Sequence, residues 1–396
     1  MSDRLRVAAI TTVYYPKSHA DVIVTKFLKG WSVDEGHIPA DVEVVSLYID
    51  HVMENDIGLR IAQENGVPVY PSIRRALHAG GKMLGVDAVL LIGEHGDYPW
   101  NERGRHMYPR RYFFEQIAGV FAESGLSVPV FIDKHFAYDY RDAEWMWARA
   151  KELNIPLMAG SSLPLCWRSP FLEHEKGARI EEALAIGYGG TEAYGYHALE
   201  MLQCMVERRA GGEKGLVSVQ CLEGDAVWRA GDRGLWPHEL AKAGCAVIAD
   251  KPDGCMEDHA KNPTAFLMQH ADGMKTTVLM LDGYIKDFAY AARVEGRIQA
   301  TEFYLQNGSP FAHFGYLCQN IRQFFLNARA PYPPERTLLT TGVIDAVMIS
   351  RYENHRIVPT PYLNIMYPSY DVMPFRPAGP RPSGACVAPD PPDKTG

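Results

Sequence analysis

The chain has seven cysteines, an odd number, and no two are spaced as Cys-x-x-Cys. A structural zinc ribbon and a disulfide framework are both disfavoured, which suits a reducing compartment. No apolar run approaches the roughly 20 residues needed to span a bilayer. The leading residues Ser2-Asp3-Arg4-Leu5-Arg6 pass straight into an apolar strand, without the charged, apolar and small-residue zones of a secretory signal. Positive charge is in deficit: 40 Lys and Arg against 48 Asp and Glu give a net charge of −8, so there is no basic footprint for nucleic acid. No internal repeat is evident. These absences predict a soluble, cytoplasmic protein with neither a membrane nor a nucleic-acid partner.

At 396 residues the chain exceeds what one hydrophobic core usually serves, so two domains are expected. Val7–Ile10, Glu43–Ile49, Ala88–Ile92 and Val128–Ile132 read as strands, and Val67–Tyr70 as a short extended piece. They alternate with helices over Ala20–Leu28, Gly58–Glu64, Ser72–His78, Tyr112–Glu123 and Asp142–Leu153. The run Ala88-Val89-Leu90-Leu91-Ile92 is apolar throughout, as in a strand covered on both faces. This alternation predicts a Rossmann-like, doubly wound parallel sheet over residues 1–160, with its ligand cleft beyond the carboxyl ends of the strands. After residue 160 a helix over Tyr194–Arg208 precedes strand-like runs at Val217–Cys221, Ala246–Ala249, Ala265–His270, Thr276–Leu281, Asp287–Val294 and Ala300–Leu305. Asp272-Gly273 and Asp282-Gly283 mark turns between them. With a late helix over Thr337–Tyr352 and an extended piece at Tyr362–Tyr367, residues 161–372 read as an α+β domain with a large, mostly antiparallel, open sheet. A face of that sheet free for a second copy predicts a homodimer. Residues 373–396 form a proline-rich tail, with disorder favoured on composition.

Asp133-Lys134-His135 resembles the Glu-Lys-Pro segment of the glucose–fructose oxidoreductase / inositol dehydrogenase (Gfo/Idh/MocA) family. Here aspartate replaces glutamate, the lysine is kept, and a histidine stands for the proline. Val86-Asp87-Ala88-Val89-Leu90-Leu91-Ile92 is similar to another strand of that family. Gly187-Tyr188-Gly189-Gly190 followed by Gly195-Tyr196-His197-Ala198-Leu199-Glu200 is similar to the glycine turn and Gly-x-His-x-x-Asp helix of its second domain, with Glu200 for the aspartate. The resemblance runs from residue 5 to about 367 and implies Lys134 and His197 as a catalytic or substrate-orienting pair. It departs at the cofactor. Where Gly-x-Gly-x-x-Gly should follow Ile10, the chain reads Thr11-Thr12-Val13-Tyr14-Tyr15-Pro16-Lys17-Ser18-His19, whose side chains would collide with a dinucleotide in its usual pose.

The strand ending at Ile92 leads into Gly93-Glu94-His95-Gly96-Asp97-Tyr98, which should face the same cleft as Lys134, His135 and His197. Imidazoles and a carboxylate in one pocket suit a divalent metal such as iron, manganese or zinc. His95, His135, His197, Glu94 and Glu192 are therefore candidate ligands, and Lys134, His197, His135 and Glu94 candidate catalytic groups. The bland readings are a loop His95 bonded to a carboxylate, a His135 that caps a helix, and a Glu192 that favours a helix start electrostatically. Arg168, Ser161, Tyr194 and Asp97 are candidate substrate contacts. Arg168 could equally serve a surface ion pair, and Ser161 lacks a clear base partner. The leading expectation is a metal-dependent oxidoreductase on a small polar or anionic molecule, with a non-haem iron oxygenase as one form. The alternatives are an NAD(P)-dependent dehydrogenase of a sugar or cyclitol using Lys134 and His197, and a metal-dependent hydrolase or lyase.

Overall fold

In a computed structural model that describes residues 4–379, the chain alternates strands and helices at first. The elements are β1 (Arg6–Thr11), α1 (His19–Lys29), the hairpin β2–β3 (Trp31–Val33 and Gly36–Ile38), β4 (Glu43–Ile49), α2 (Gly58–Glu64), α3 (Ile73–His78) and β5 (Ala88–Ile92). There follow α4 (Arg110–Ser124), β6 (Val130–Asp133), α5 (Tyr140–Glu152) and β7 (Leu157–Gly160). The five longer strands form one parallel sheet in the order β4-β1-β5-β6-β7. Every residue of β5 is buried, as its unbroken apolar run requires. Full burial of each such side chain contributes about 1.5–3 kcal/mol. Local signals set the helix ends. Ser18 caps α1 by accepting from the Asp21 amide, and Asp139 caps α5 by accepting from the Arg141 amide at 2.8 Å. A cap of this kind is worth roughly 1 kcal/mol.

The second half contains β8 (Trp167–Ser169), β9 (Ile180–Gly187), α6 (Ala193–Val206), β10 (Leu216–Glu223), α7 (Asp225–Asp232), α8 (His238–Val247), α9 (Met256–His259), β11 (Thr264–His270) and β12 (Lys275–Met280). It continues with β13 (Phe288–Val294), β14 (Arg297–Tyr304), α10 (Ala312–Asn327), α11 (Glu335–Tyr352) and the two-residue β15 (Val358–Pro359). Its eight strands order as β15-β10-β11-β12-β9-β13-β14-β8, and every pairing is antiparallel except β12 with β9. The fold is thus a Rossmann-like parallel sheet joined to a large, mostly antiparallel one.

Two local expectations fail. Ala246–Ala249, expected as strand, falls at the end of α8 and in the turn after it, because Ala241 and Cys245 pack into the core as a helical face. Tyr362–Tyr367, expected as an extended piece, begins inside a turn instead. Pro361–Leu363 is a single tight turn, and one bridge joins Tyr367 to Glu213. One face of the sheet is covered: Val227, Trp236, Leu240 and Ala241 of α7–α8 bury against Leu184, Ile186, Leu279, Ala289 and Ala291. The tail lies outside the described residues beyond position 379.

Two late helices tie the sheets together. Ala312, Leu317, Ile321 and Phe324 of α10 share a core with Ile23 and Phe27 of α1 and with Trp31. Leu339, Val343 and Ala346 of α11 join the core that contains Phe136, Ala143 and Tyr196. Side chains from α6, α10 and α11 are thereby brought to the carboxyl edge of the parallel sheet.

Candidate active site at the edge of the parallel sheet

In a parallel sheet the strand carboxyl ends and the following helix starts lie along one edge, so residues far apart in sequence meet there. β5 ends at Ile92 and delivers Glu94 and His95; β6 ends at Asp133 and delivers Lys134 and His135. His95 and Lys134 both adopt left-handed backbone, with φ of 69° and 63°. Such a conformation is uncommon for these residues and is held only where the surroundings fix it.

Glu94 is the hub. It is 5% exposed, as is Lys134, and its Oε1 accepts from Lys134 Nζ at 2.9 Å while Oε2 accepts from Arg110 Nη2. Burial alone would raise the Glu94 pKa, but Lys134 and then Arg110 outweigh it and hold the carboxyl well below its usual range. Arg110, fully buried, also donates from Nη1 to His135 Nε2 at 3.1 Å. His135 is neutral: burial and the guanidinium groups of Arg110 and Arg105 push its pKa well down. Glu192, at the start of α6, accepts from Arg105 Nε at 3.0 Å, and Arg105 Nη1 donates to Asp345 at 3.3 Å.

His197 projects from α6, its pKa held low by burial and then by Lys134 and His19. His95 is pushed down to about 3, first by burial and then by His19. Ring contacts join Tyr15 to His95 at 5.8 Å and His95 to His19 at 5.1 Å between centroids. His19 Nδ1 lies 2.6 Å from Asp133 Oδ2. The structure therefore gathers Glu94, His95, Lys134, His135, His197 and Glu192 in one neighbourhood.

Of the other candidates, only Tyr194 touches this neighbourhood in a ring contact. Arg168 is buried, donating to the carbonyls of Leu172 and Pro164 and stacking over Phe303 at 4.7 Å. The Ser161 amide donates to Glu200, and its Oγ accepts from the Leu163 amide. Tyr194 is 40% exposed, its ring 6.2 Å from that of His197, and Asp97 is exposed. Glu200, fully buried, accepts from the Ser161 amide and from Thr337 and Thr340, so it anchors α6 to β7 and α11.

The metal expectation is corrected here. Among the described residues, no group of three or more His, Cys, Asp and Glu side chains is placed to hold a metal ion. The reason lies in the arginines. Both oxygens of Glu94 are taken by cations, the ring nitrogen of His135 nearest the cluster receives Arg110, and Glu192 is engaged by Arg105. Sequence reading counted the imidazoles and carboxylates but missed Arg105, Arg110 and His19, the partner of Asp133. The one available signal was position: an acid ending a parallel strand and a histidine opening the first helix share the same sheet edge.

A nicotinamide dinucleotide, tested against the first turn, does not fit its usual pose. The Thr12 amide donates to Ile92, the Ser18 amide to Tyr15, the Lys17 amide to Asp21, and the Asp21 amide to Ser18 Oγ. Tyr14 is buried beneath the turn, bonded to Thr25 at 2.8 Å and packed on Gly58, where a Cβ would sit 2.7 Å from the tyrosine. Asp50, the acid at the end of β4, accepts from Tyr48 at 2.5 Å and Tyr98 at 2.7 Å, the oxygens a ribose would otherwise engage. Two cavities lie away from this edge. One of about 610 Å³ sits on the second sheet beside Arg229 and Leu267, and one of about 810 Å³ lies between Tyr332 and Tyr370.

No family model matches the chain, and no curated protein matches it in sequence. Solved structures do match in fold. GenD2 from gentamicin A biosynthesis, crystallised with NAD, superposes with a TM-score of 0.57 at 12% identity, covering 91% of this chain and 97% of that one. The apo scyllo-inositol dehydrogenase of Lactobacillus casei gives 0.55 at 12% identity, with 91% and 99% covered. The myo-inositol 2-dehydrogenase of Lactobacillus plantarum gives 0.54 at 12% identity, with 90% and 99% covered. The resemblance read from Asp133-Lys134-His135 and the α6 motif is thus matched at the level of the fold, which this chain shares with GenD2 and with inositol dehydrogenases.

Proposed function

We propose that this chain is an oxidoreductase of the dehydrogenase kind, acting on a sugar or cyclitol at the edge of the parallel sheet that carries Lys134, with His197 within its electrostatic reach. The observation that carries the reading is the Lys134–Glu94 pair, a lysine at the end of a parallel strand, fixed by a buried carboxylate within electrostatic reach of a neutral histidine from the second half of the chain. An ammonium so held can hydrogen-bond a substrate oxygen and stabilise the negative charge that grows on it as the hydroxyl proton leaves. His197, neutral, is suited to bond a neighbouring hydroxyl. The shared fold, including structures solved with NAD or NAD(H), supports a nicotinamide as the hydride acceptor. The filled first turn opposes the usual dinucleotide pose, so the residues of this chain are given roles only in the proton half of the reaction.

The test is calorimetric titration with NAD⁺ and NADP⁺, together with absorbance assays on myo-inositol, scyllo-inositol and glucose. Micromolar nucleotide binding and reduction that is lost in Lys134→Met are expected. No binding at millimolar nucleotide and no reduction would sink the reading. A second reading, redox-neutral loss of water from the same class of substrate, is favoured by the occupied turn, and conversion of a polyol without added nucleotide, followed by NMR, would establish it instead.

A further inference from the structure

We propose that His19, oriented by Asp133, is the proton acceptor of this cleft, so that the turn which elsewhere cradles a diphosphate here supplies an acid–base residue. The inference rests on the reading of the site as polyol chemistry and adds the group that Lys134 and His197 do not provide.

The argument begins with Asp133. It is fully buried at the end of β6, and its Oδ2 meets His19 Nδ1 at 2.6 Å. An ionised carboxylate can only accept, so Nδ1 carries the hydrogen and the lone pair resides on Nε2. The His19 side chain keeps 13% of its exposure, and Nε2 makes no hydrogen bond among the described residues. The ring is fixed from two sides: His95 lies edge-on at 5.1 Å and Phe314 of α10 edge-on at 5.4 Å. The charged and titratable groups around it are Glu94 and His95 after β5, Lys134 after β6, His197 of α6 and His313 of α10.

Lys134 is a poor proton acceptor here, because its Nζ is already engaged as a donor to Glu94 at 2.9 Å. His95 and His197 are pushed low by burial, which leaves them neutral but weakly basic. His19 alone combines a carboxylate behind one nitrogen with a free second nitrogen at the accessible edge. In the step, the substrate O–H bond breaks, the proton joins His19 Nε2, and the electron pair stays on the oxygen facing Lys134. The imidazolium is stabilised by Asp133 and passes its proton to solvent. His19 is the catalytic residue and Asp133 a positioning residue.

The test uses the full-length protein with myo-inositol, scyllo-inositol and glucose, with and without NAD⁺ or NADP⁺. His19→Ala should lower kcat by about 10²–10⁴-fold with KM within threefold, and added imidazole should restore at least about tenfold of the loss. Asp133→Asn should lower kcat without imidazole rescue. Turnover by His19→Ala within threefold of wild type would overturn the proposal, as would an unrescued loss at an unchanged melting temperature. If Lys134→Met is inactive while His19→Ala is not, the base assignment fails and the functional reading stands. If wild type converts none of these polyols, that reading fails by itself. ¹⁵N-histidine NMR then decides the dyad: Nδ1–H on His19 at pH 7.5, lost in Asp133→Asn, upholds it, and Nε2–H overturns it.

Discussion

Replacing Glu94 by glutamine is the sharpest perturbation of this site. Glutamine keeps the volume but removes the charge, and it points an amide NH₂ at one of two buried cations. Lys134 is 5% exposed and Arg110 fully buried, and both donate to this one carboxylate. Leaving a buried charge without its partner costs about 3–5 kcal/mol, several times the worth of an exposed pair. At 2–4 °C per kcal/mol, the first unfolding transition should fall by roughly 6–20 °C in scanning calorimetry. The double variant Glu94→Gln/Lys134→Met should recover part of the loss, because only Arg110 then lacks a carboxylate. The pH dependence carries a sign. Glu94 is held well below its ordinary value of 4.5, so its contribution is complete above that value and is lost as pH falls. Glu94→Gln should therefore lie closest to wild type in strong acid. A fall of less than about 2 °C at pH 7.5, corresponding to no more than roughly 1 kcal/mol, would refute the idea that this hub holds the edge of the sheet together.

Further expectations concern the buried histidines and one glycine. Burial lowers His95 and His313 to about 3 and His174 to about 4, while unfolded histidine titrates near 6.5. The unfolded chain therefore binds protons first, so stability should fall as pH drops from about 6.5 towards 4. A melting temperature unchanged between pH 7 and 5 would contradict this, and His313→Gln should flatten the slope. At Gly160, with φ of 128°, a Cβ would meet Glu200 Oε2 at 2.5 Å, and the Gly160 carbonyl receives the Lys134 amide at 3.1 Å. Gly160→Ala should cost at least about 2 kcal/mol and displace Lys134, which chemical denaturation combined with the polyol assay would register.

What could be read in advance follows the physics of periodicity. β5 was legible because five apolar residues in a row have no other home than a covered strand, and the turns at Asp272-Gly273 and Asp282-Gly283 because they punctuate apolar runs. β9 was not legible: Glu181 and Glu182 interrupt its start, although it is a central strand whose later residues are fully buried. α8 was misread at its end because Ala-Val-Ile-Ala fits either period. Within the site, Lys134 and His197 emerged from local motifs. Arg110 did not, because nothing in Tyr108-Pro109-Arg110-Arg111 says that the guanidinium at the start of α4 turns back beneath the end of β5. That one side chain separates a cluster suited to a metal from a cluster of ion pairs.

The pairing pattern also bears on what the cleft can bind. Each buried cation near the site already has a carboxylate: Lys134 and Arg110 share Glu94, and Arg105 has Glu192 and Asp345. Asp133 adds a further carboxylate, already engaged by His19 at 2.6 Å. A phosphate or carboxylate ligand would have to compete with Glu94 for Lys134 inside a poorly solvated site, and displacing a buried partner costs several kcal/mol. An uncharged polyol needs no such exchange, since its hydroxyl oxygens can accept from Lys134 while Glu94 stays in place. The cleft should therefore bind myo-inositol at least about tenfold more tightly than myo-inositol 1-phosphate, a difference of about 1.4 kcal/mol. Competition measured by calorimetry at fixed ionic strength would show this order. Tighter binding of the phosphate would mean that Glu94 releases Lys134 on ligand entry, and the hub would then be a latch rather than a fixed support.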